Sequence, residues 1–345
     1  MRELSPVTVP IVQIRPNMIL VYPQTLWPSG FAPNRRSNNL SIVWNKQENQ
    51  DANFEGKEAY SGQLTFASRK RLQKAINLLV AISDVKRVQA PKSGKWFDFK
   101  VNFVTLTLPS AQGSITDKEL KKTCLDNFFK AMRRKHQLKD YVWRAERQFN
   151  GNLHFHITTN TYLPQDAIRN EWNRQLSKFH FIDDFKALHG HSNPNSTDVH
   201  AVSKLKNIAA YMVKYMSKDP AEHLEEVNQK RTAKGDDPII PEDHEFRQVE
   251  GQPLWDDPIN GKVWDCSLNL KSKTRCETEA CDQIQAEVNR IVKKHHLKWK
   301  STEYCYLIFT GNKDMKLILE GELLQMYLSY LNDIKDQRSH WDLAA

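Results

Sequence analysis

The chain of 345 residues is 39% hydrophobic and 26% charged, which is enough apolar material for a substantial core and enough length for two or three domains. Its formal charge of +9 suits a polyanionic partner, and its five cysteines, Cys124, Cys266, Cys276, Cys281 and Cys305, are odd in number with no Cys-x-x-Cys pair, which argues against a disulfide framework and against a cysteine zinc site. No apolar run approaches the roughly 18–20 residues of a membrane span, no secretory pattern opens the chain, and no Gly-x-x-x-x-Gly-Lys-Ser/Thr phosphate loop occurs. A soluble protein of a reducing cytoplasm, without membrane contact and without a fused helicase, is expected.

In chain order, residues 1–60 are rich in Pro, Asn and Gln and read largely as loop, with one strand at Ser41-Ile42-Val43-Trp44. Residues 66–83 follow as a basic amphipathic helix, with Leu72, Ile76, Leu79 and Val80 inward and Arg69, Lys70, Arg71 and Lys74 outward. A solvated face and a DNA-contacting face both account for those basic residues. A strand over 101–108 comes next, then Thr116-Asp117-Lys118-Glu119, a capping box opening a helix in which Leu120, Cys124, Phe128 and Met132 recur every four residues. A hairpin over 141–160, a helix from near Pro164 burying Ile168, Trp172 and Leu176, and a strand from Asp198 to Val202 complete the central region.

Beyond residue 220 the pattern is weaker. Residues 221–243 are polar and charged, as in a linker or insertion, and Trp264-Asp265-Cys266-Ser267 reads as a short isolated segment. Lys293-Lys294-His295-His296-Leu297-Lys298-Trp299-Lys300 mixes basic and aromatic residues, which suits either stacking on single-stranded DNA or the cationic end of a helix. A strand at 304–309 and a helix from about Glu320 close the chain.

Two motifs carry chemistry. In Tyr211-Met212-Val213-Lys214-Tyr215-Met216-Ser217-Lys218 a Tyr-x-x-Lys unit is repeated at a spacing of four, so on a helix Tyr211 and Tyr215 share a face and Lys214 and Lys218 stand beside them. A phenol ionises near pH ~10 and is a poor nucleophile at neutrality, but adjacent ammonium groups favour the phenolate and attract phosphate. In Leu153-His154-Phe155-His156-Ile157 the two histidines lie on one face of a strand, the geometry of a two-imidazole metal clamp. The preceding strand, 141–149, makes this sharper. A three-residue loop, Asn150 to Asn152, pairs Glu146 with His156 and Gln148 with His154, gathers Arg144, Glu146, Gln148, His154, His156 and Thr158 on one face, and collects Trp143, Ala145, Phe155 and Ile157 on the other. Two nitrogens and one oxygen suit Mn²⁺ or Mg²⁺, and the imidazoles also accept zinc.

Phe103-Val104-Thr105-Leu106-Thr107, the His-hydrophobic-His strand and the tyrosine helix occur in this order, and their combination resembles the HUH endonucleases that initiate rolling-circle replication. The doubled Tyr-x-x-Lys is similar to the two-tyrosine branch represented by gene A proteins of small isometric single-stranded DNA phages. The resemblance covers residues 97–220. It implies an α+β, ferredoxin-like or RRM-like HUH core, His154, His156 and Glu146 as metal ligands, Tyr211 and Tyr215 as nucleophiles, and Lys214 and Lys218 as phosphate-side assistants. Thr105 and Thr107 then border the site or serve the strand structurally.

The expected organisation is an N-terminal extension (1–96), an endonuclease domain (97–220) and a C-terminal extension (221–345). The expected activity is metal-dependent nicking and strand transfer on single-stranded or hairpin origin DNA, with a host helicase and polymerase as partners in a bacterial cytoplasm. A conjugative relaxase or rolling-circle transposase shares this chemistry. A non-catalytic single-stranded nucleic-acid-binding protein would use the tyrosines for stacking.

Overall fold

The computed structural model describes residues 7–26, 64–91, 93–202, 212, 220–272, 274–311 and 313–337. They fall into two compact units, one of residues 7–26 with 274–336 and one of residues 64–272. The units cut across the expected boundaries. Residues 64–96 and 220–272 lie in the unit of the central strands, and the two ends of the chain combine in the other. The strand expected at 41–44 lies outside the described residues. Among the described residues no helix is long and apolar enough to cross a membrane.

The N-terminal segment forms strands where a loop was expected. β1 (Val7–Arg15) and β2 (Met18–Leu26) pair antiparallel over their whole length around a two-residue turn. Pro10 and Pro23 argue against strands, yet they stand directly opposite each other. Pro10 O accepts from Ala280 N (2.7 Å), so the backbone of Pro10 points away from β2 and its missing N–H removes no bond to that strand.

In the central unit, α1 (Phe66–Ile82) is capped by Thr65, whose hydroxyl accepts from Ser68 N, and buries Leu72, Ile76 and Leu79 with Val80 half-buried. A small hairpin of β3 (Lys86–Gln89) and β4 (Trp96–Phe99) leads to β5 (Val101–Leu106). The Thr116–Glu119 capping box opens α2 (Asp117–Leu120), which runs through a π turn at Lys121–Leu125 into α3 (Asp126–His136). Leu120, Cys124, Phe128 and Met132 are all buried, as their spacing predicts.

Then come β6 (Tyr141–Arg147), β7 (Leu153–Thr159), α4 (Gln165–Leu176), α5 (Phe181–His189) and β8 (Thr197–Val202). α6 (Pro220–Thr232) occupies the stretch expected as a linker, and β9 (Trp264–Cys266) adds an edge strand beside β6.

The sheet order is β8-β5-β7-β6-β9, antiparallel throughout. Without β9, the chain order strand–helix–strand–strand–helix–strand with spatial order fourth, first, third, second is the ferredoxin-like arrangement expected. One sheet face, with Val104, Leu106, Trp143, Ala145, Phe155 and Ile157, packs on Phe128, Ile168 and Trp172 of the helices. The opposite face was expected to be left to the tyrosine segment and DNA, and it meets α1 as well. Trp264 lies across from Arg144 and so belongs to that face, where its Nε1 donates to Ser68 Oγ of α1 (2.6 Å).

The other unit is a five-stranded antiparallel sheet of order β10-β1-β2-β12-β11, built from β10 (Cys276–Glu279), β11 (Lys298–Ser301) and β12 (Tyr306–Phe309) around the N-terminal hairpin. Its helices are α7 (Asp282–His295), α8 (Met315–Ile318) and α9 (Gly321–Asp336). Val12, Ile14 and Ile19 of the hairpin are buried together with Val288, Ile308, Tyr327 and Leu331, residues separated from them by most of the chain. The central unit is thus an insertion between the first two strands and the remainder of this unit.

Candidate metal centre

Alternation along β7 sets the site. Leu153, Phe155 and Ile157 enter the core, and His154, His156 and Thr158 take the other face. β6 contributes Glu146 opposite His154 and Arg144 opposite His156, while β5 places Thr105 opposite His156 and Phe103 opposite Thr158.

The pairing corrects the expected register. Gln148 N donates to Asn152 O (2.8 Å), Gly151 N donates to Gln148 O (2.8 Å), and the three-residue loop is Phe149 to Gly151. In such a loop the left-handed residue comes last, and Gly151, at φ 85°, is that residue; the expected loop placed it in the middle. A Cβ on Gly151 would also stand 1.8 Å from Pro253 O. Moving the loop by one residue slides the partners by two, so Glu146 faces His154 rather than His156 and every side chain keeps its expected face.

Glu146 Oε1 lies 2.7 Å from both His154 Nε2 and His156 Nε2, and these nitrogens are 3.1 Å apart. An ion bound at about 2.0–2.2 Å to three ligands at right angles holds them about 3 Å from one another, so the three atoms fit one divalent cation. Their side chains are only 11–16% exposed.

The surroundings orient the ligands. Thr105 Oγ1 is 3.2 Å from His156 Nδ1 and accepts its proton when Nε2 is left free for a metal. The Phe103 ring stacks on His156 with centroids 5.3 Å apart, and Arg144 Nη1 stands 3.5 Å from Glu146 Oε2. Burial lowers the pKa of His154, against the opposing pull of Glu146, and favours the neutral imidazole. Burial works against the Glu146 carboxylate, but the contacts with His156 and His154 outweigh it and hold its pKa well below the usual range. A carboxylate beside a neutral imidazole is the protonation pattern that metal binding needs.

Of the sequence-predicted residues, Glu146, His154 and His156 are brought together here. Thr105 touches a ligand, whereas Thr107 is structural: its hydroxyl donates to Ser196 O (3.1 Å) and its carbonyl accepts from Trp172 Nε1. Tyr211, Lys214, Tyr215 and Lys218 lie outside the described residues. Met212, between the two tyrosines, is fully buried and accepts at Sδ from Thr158 Oγ1 (3.4 Å), two residues along β7 from His156.

Sequence reasoning gave no role to Phe103 or to Arg144, whose contacts depend on the pairing register. It also passed over Asp198 and His200, which pair with Thr105 and Phe103 and so share the histidines' face at the sheet edge, 2.8 Å from each other.

Residues 101–220, 120 of the 345, match the family model of the replication-associated proteins of the ORF2 and gene II protein type. The match begins at β5, includes the metal-site hairpin and extends past the second tyrosine, and it supports a replication-initiator role on DNA. No curated protein and no solved structure matches the chain.

Proposed function

We propose that the protein nicks single-stranded DNA at a replication origin through a tyrosine nucleophile and rejoins the strand after a round of replication. The observation that carries this reading is the convergence of Glu146 Oε1, His154 Nε2 and His156 Nε2 on the sheet face against which Met212, from the doubled Tyr-x-x-Lys segment, is packed. The family match over the same residues supports the replication context.

The residues divide the work as follows. Glu146, His154 and His156 hold Mg²⁺ or Mn²⁺, which when bound supplies positive charge to the non-bridging oxygens of the scissile phosphate. Thr105 and Arg144 keep His156 and Glu146 in place. Tyr211 or Tyr215 attacks phosphorus: the new bond joins the phenolic oxygen to phosphorus, the bond to the 3′ oxygen breaks, and the 3′ oxygen leaves with a proton as a hydroxyl. Lys214 and Lys218 favour the phenolate and offset phosphate charge. One phosphodiester is exchanged for another, so rejoining needs no nucleotide cofactor. The free 3′ end serves a host polymerase, and the second tyrosine permits a second transfer that releases a circle.

Incubation with an origin-region oligonucleotide and Mn²⁺, followed by a denaturing gel and mass spectrometry, tests this. A covalent adduct at Tyr211 or Tyr215 is expected, with none formed by Tyr211→Phe/Tyr215→Phe. Metal-independent binding without any adduct would instead favour a non-catalytic binding protein, and DNA attached to another residue would overturn the mechanism.

A further inference from the structure

The terminal unit carries a feature that the cleavage chemistry does not use. Trp299, Tyr304, Tyr306 and Phe309 are 62%, 73%, 54% and 37% exposed, four large aromatic side chains on the single β11–β12 hairpin. Trp299 pairs with Ile308, which pairs with Ile19, so Trp299 is on the sheet face that α7 covers; Tyr306 opposite Ser301 shares it. There the sheet and α7 enclose an open cavity of about 450 Å³, floored by Val12, Val21, Val288 and Ile308, with the amides of Gln285 and Asn289 on the helix side and Trp299 and Tyr306 on the strand side. That volume lies within the usual range for small-ligand sites. Lys298 and Lys300 flank Trp299 on the reverse face of the same edge strand, and Lys293 is exposed near the end of α7.

Lysines on an edge strand can serve merely to prevent pairing with another sheet. A tryptophan left open between them works against that purpose, because it offers an apolar surface at the edge. Aromatic faces interleaved with cations satisfy a different requirement: unpaired bases stack on the rings while lysines neutralise the flanking phosphates. Duplex DNA, whose bases are already stacked, cannot use such rings.

We infer that the β11–β12 hairpin and the adjoining cavity form a second DNA site, separate from the metal centre, in which Trp299 and Tyr306 hold an unpaired base of a single strand and Lys298 and Lys300 contact its phosphates. From the proposed function this takes only that the partner is DNA. Gln285 and Asn289 give the cavity amide donors and acceptors for a base edge, so the site contributes base preference as well as affinity.

The test is fluorescence anisotropy of the full chain with a 5′-labelled thymidylate 20-mer and with a labelled duplex, without added metal. Trp299→Ala is expected to weaken single-strand binding about tenfold, within the range for loss of one stacked base, while Trp299→Phe keeps most of it and duplex binding does not change. Lys298→Gln/Lys300→Gln should reduce the slope of log affinity against log salt by about 1.4, as expected for two single-strand phosphate contacts. Photocrosslinking of a 5-iodouracil-substituted strand should modify Trp299 or Tyr306. Wild-type single-strand affinity in Trp299→Ala, equal losses on single strand and duplex, or crosslinks confined to residues 64–272 would each overturn the proposal. A changed oligomeric state with unchanged DNA affinity would also overturn it, and would assign the patch to self-association. Because binding is read without cleavage, a wild-type protein that forms no covalent adduct would defeat the nickase reading and leave this one to be judged on its own.

Discussion

The β6–β7 hairpin and the β11–β12 hairpin both carry the residues that give their unit a chemical character, but in opposite ways. The first turns two imidazoles and a carboxylate onto a sheltered face, 11–16% exposed, where each ligand is touched by a partner, Thr105, Phe103 or Arg144. The second turns rings outward, with Trp299 62% exposed and lysines on either side. Burial is costly for a polar group unless its partners are preorganised, so the first hairpin is built like a reaction centre. Exposure of rings costs solubility and little else, and gives the adaptable surface that a flexible strand needs.

The largest effect separating the two regions is loss of chemistry without loss of fold. His154→Ala/His156→Ala is expected to remove measurable Mn²⁺ binding by calorimetry and to lower adduct formation by more than about 10²-fold, beyond the usual cost of losing an outer-shell partner. Circular dichroism should remain that of the wild type, because both side chains lie away from the Phe155 and Trp172 core. Glu146→Gln, which preserves shape and removes charge, should show the same phenotype more mildly. Full nicking by the double variant in the presence of chelator would break the comparison by removing the metal from the first hairpin altogether.

A smaller effect concerns the support around the ligands. Thr105→Val keeps the volume and removes the hydroxyl 3.2 Å from His156 Nδ1, and is expected to weaken Mn²⁺ affinity by about 10–100-fold while leaving single-strand binding in the absence of metal unchanged. An unaltered metal affinity would mean that Phe103 stacking alone fixes the ring.

How much of this was readable before the structure follows from the range of the interactions. The faces of the site were legible because strand alternation is local: His154, His156 and Glu146 share a side whichever loop joins β6 to β7, provided the register moves by two. The register was not, since it depends on the left-handed Gly151 closing the loop against Pro253, a residue about a hundred positions later. The helices around Cys124 and Trp172 were legible from spacing. The strands at 7–15 and 18–26 were obscured by Pro10 and Pro23 and by distance, because β10 and β12, the strands that complete their sheet, lie some 250 residues away and no local pattern reports them. Arg144 and Phe103 were visible as residues but not as partners, for the same reason.

The smallest effect tests the sheltered character of the first hairpin through a single proton. Burial lowers the pKa of His154 below its ordinary 6.5, and the Glu146 carboxylate, which pulls the other way, does not fully offset it. A lowered pKa means that the folded protein binds this proton less tightly than the unfolded chain, so the charged form opposes folding, and protons compete with a metal at Nε2 only at pH values below the ordinary range. Imidazole NMR of selectively labelled protein should therefore find His154 mostly neutral at pH 6.5, with its midpoint lower. Stability should fall as acid protonates His154, in the window between 6.5 and that midpoint and beneath it. Glu146→Gln should move the midpoint further down, because the carboxylate that favours imidazolium has gone while the burial remains. A midpoint at or above 6.5 in the wild type would show that the Glu146 charge outweighs burial, and that the site rests as an imidazolium–carboxylate pair which must shed a proton before it takes up a metal.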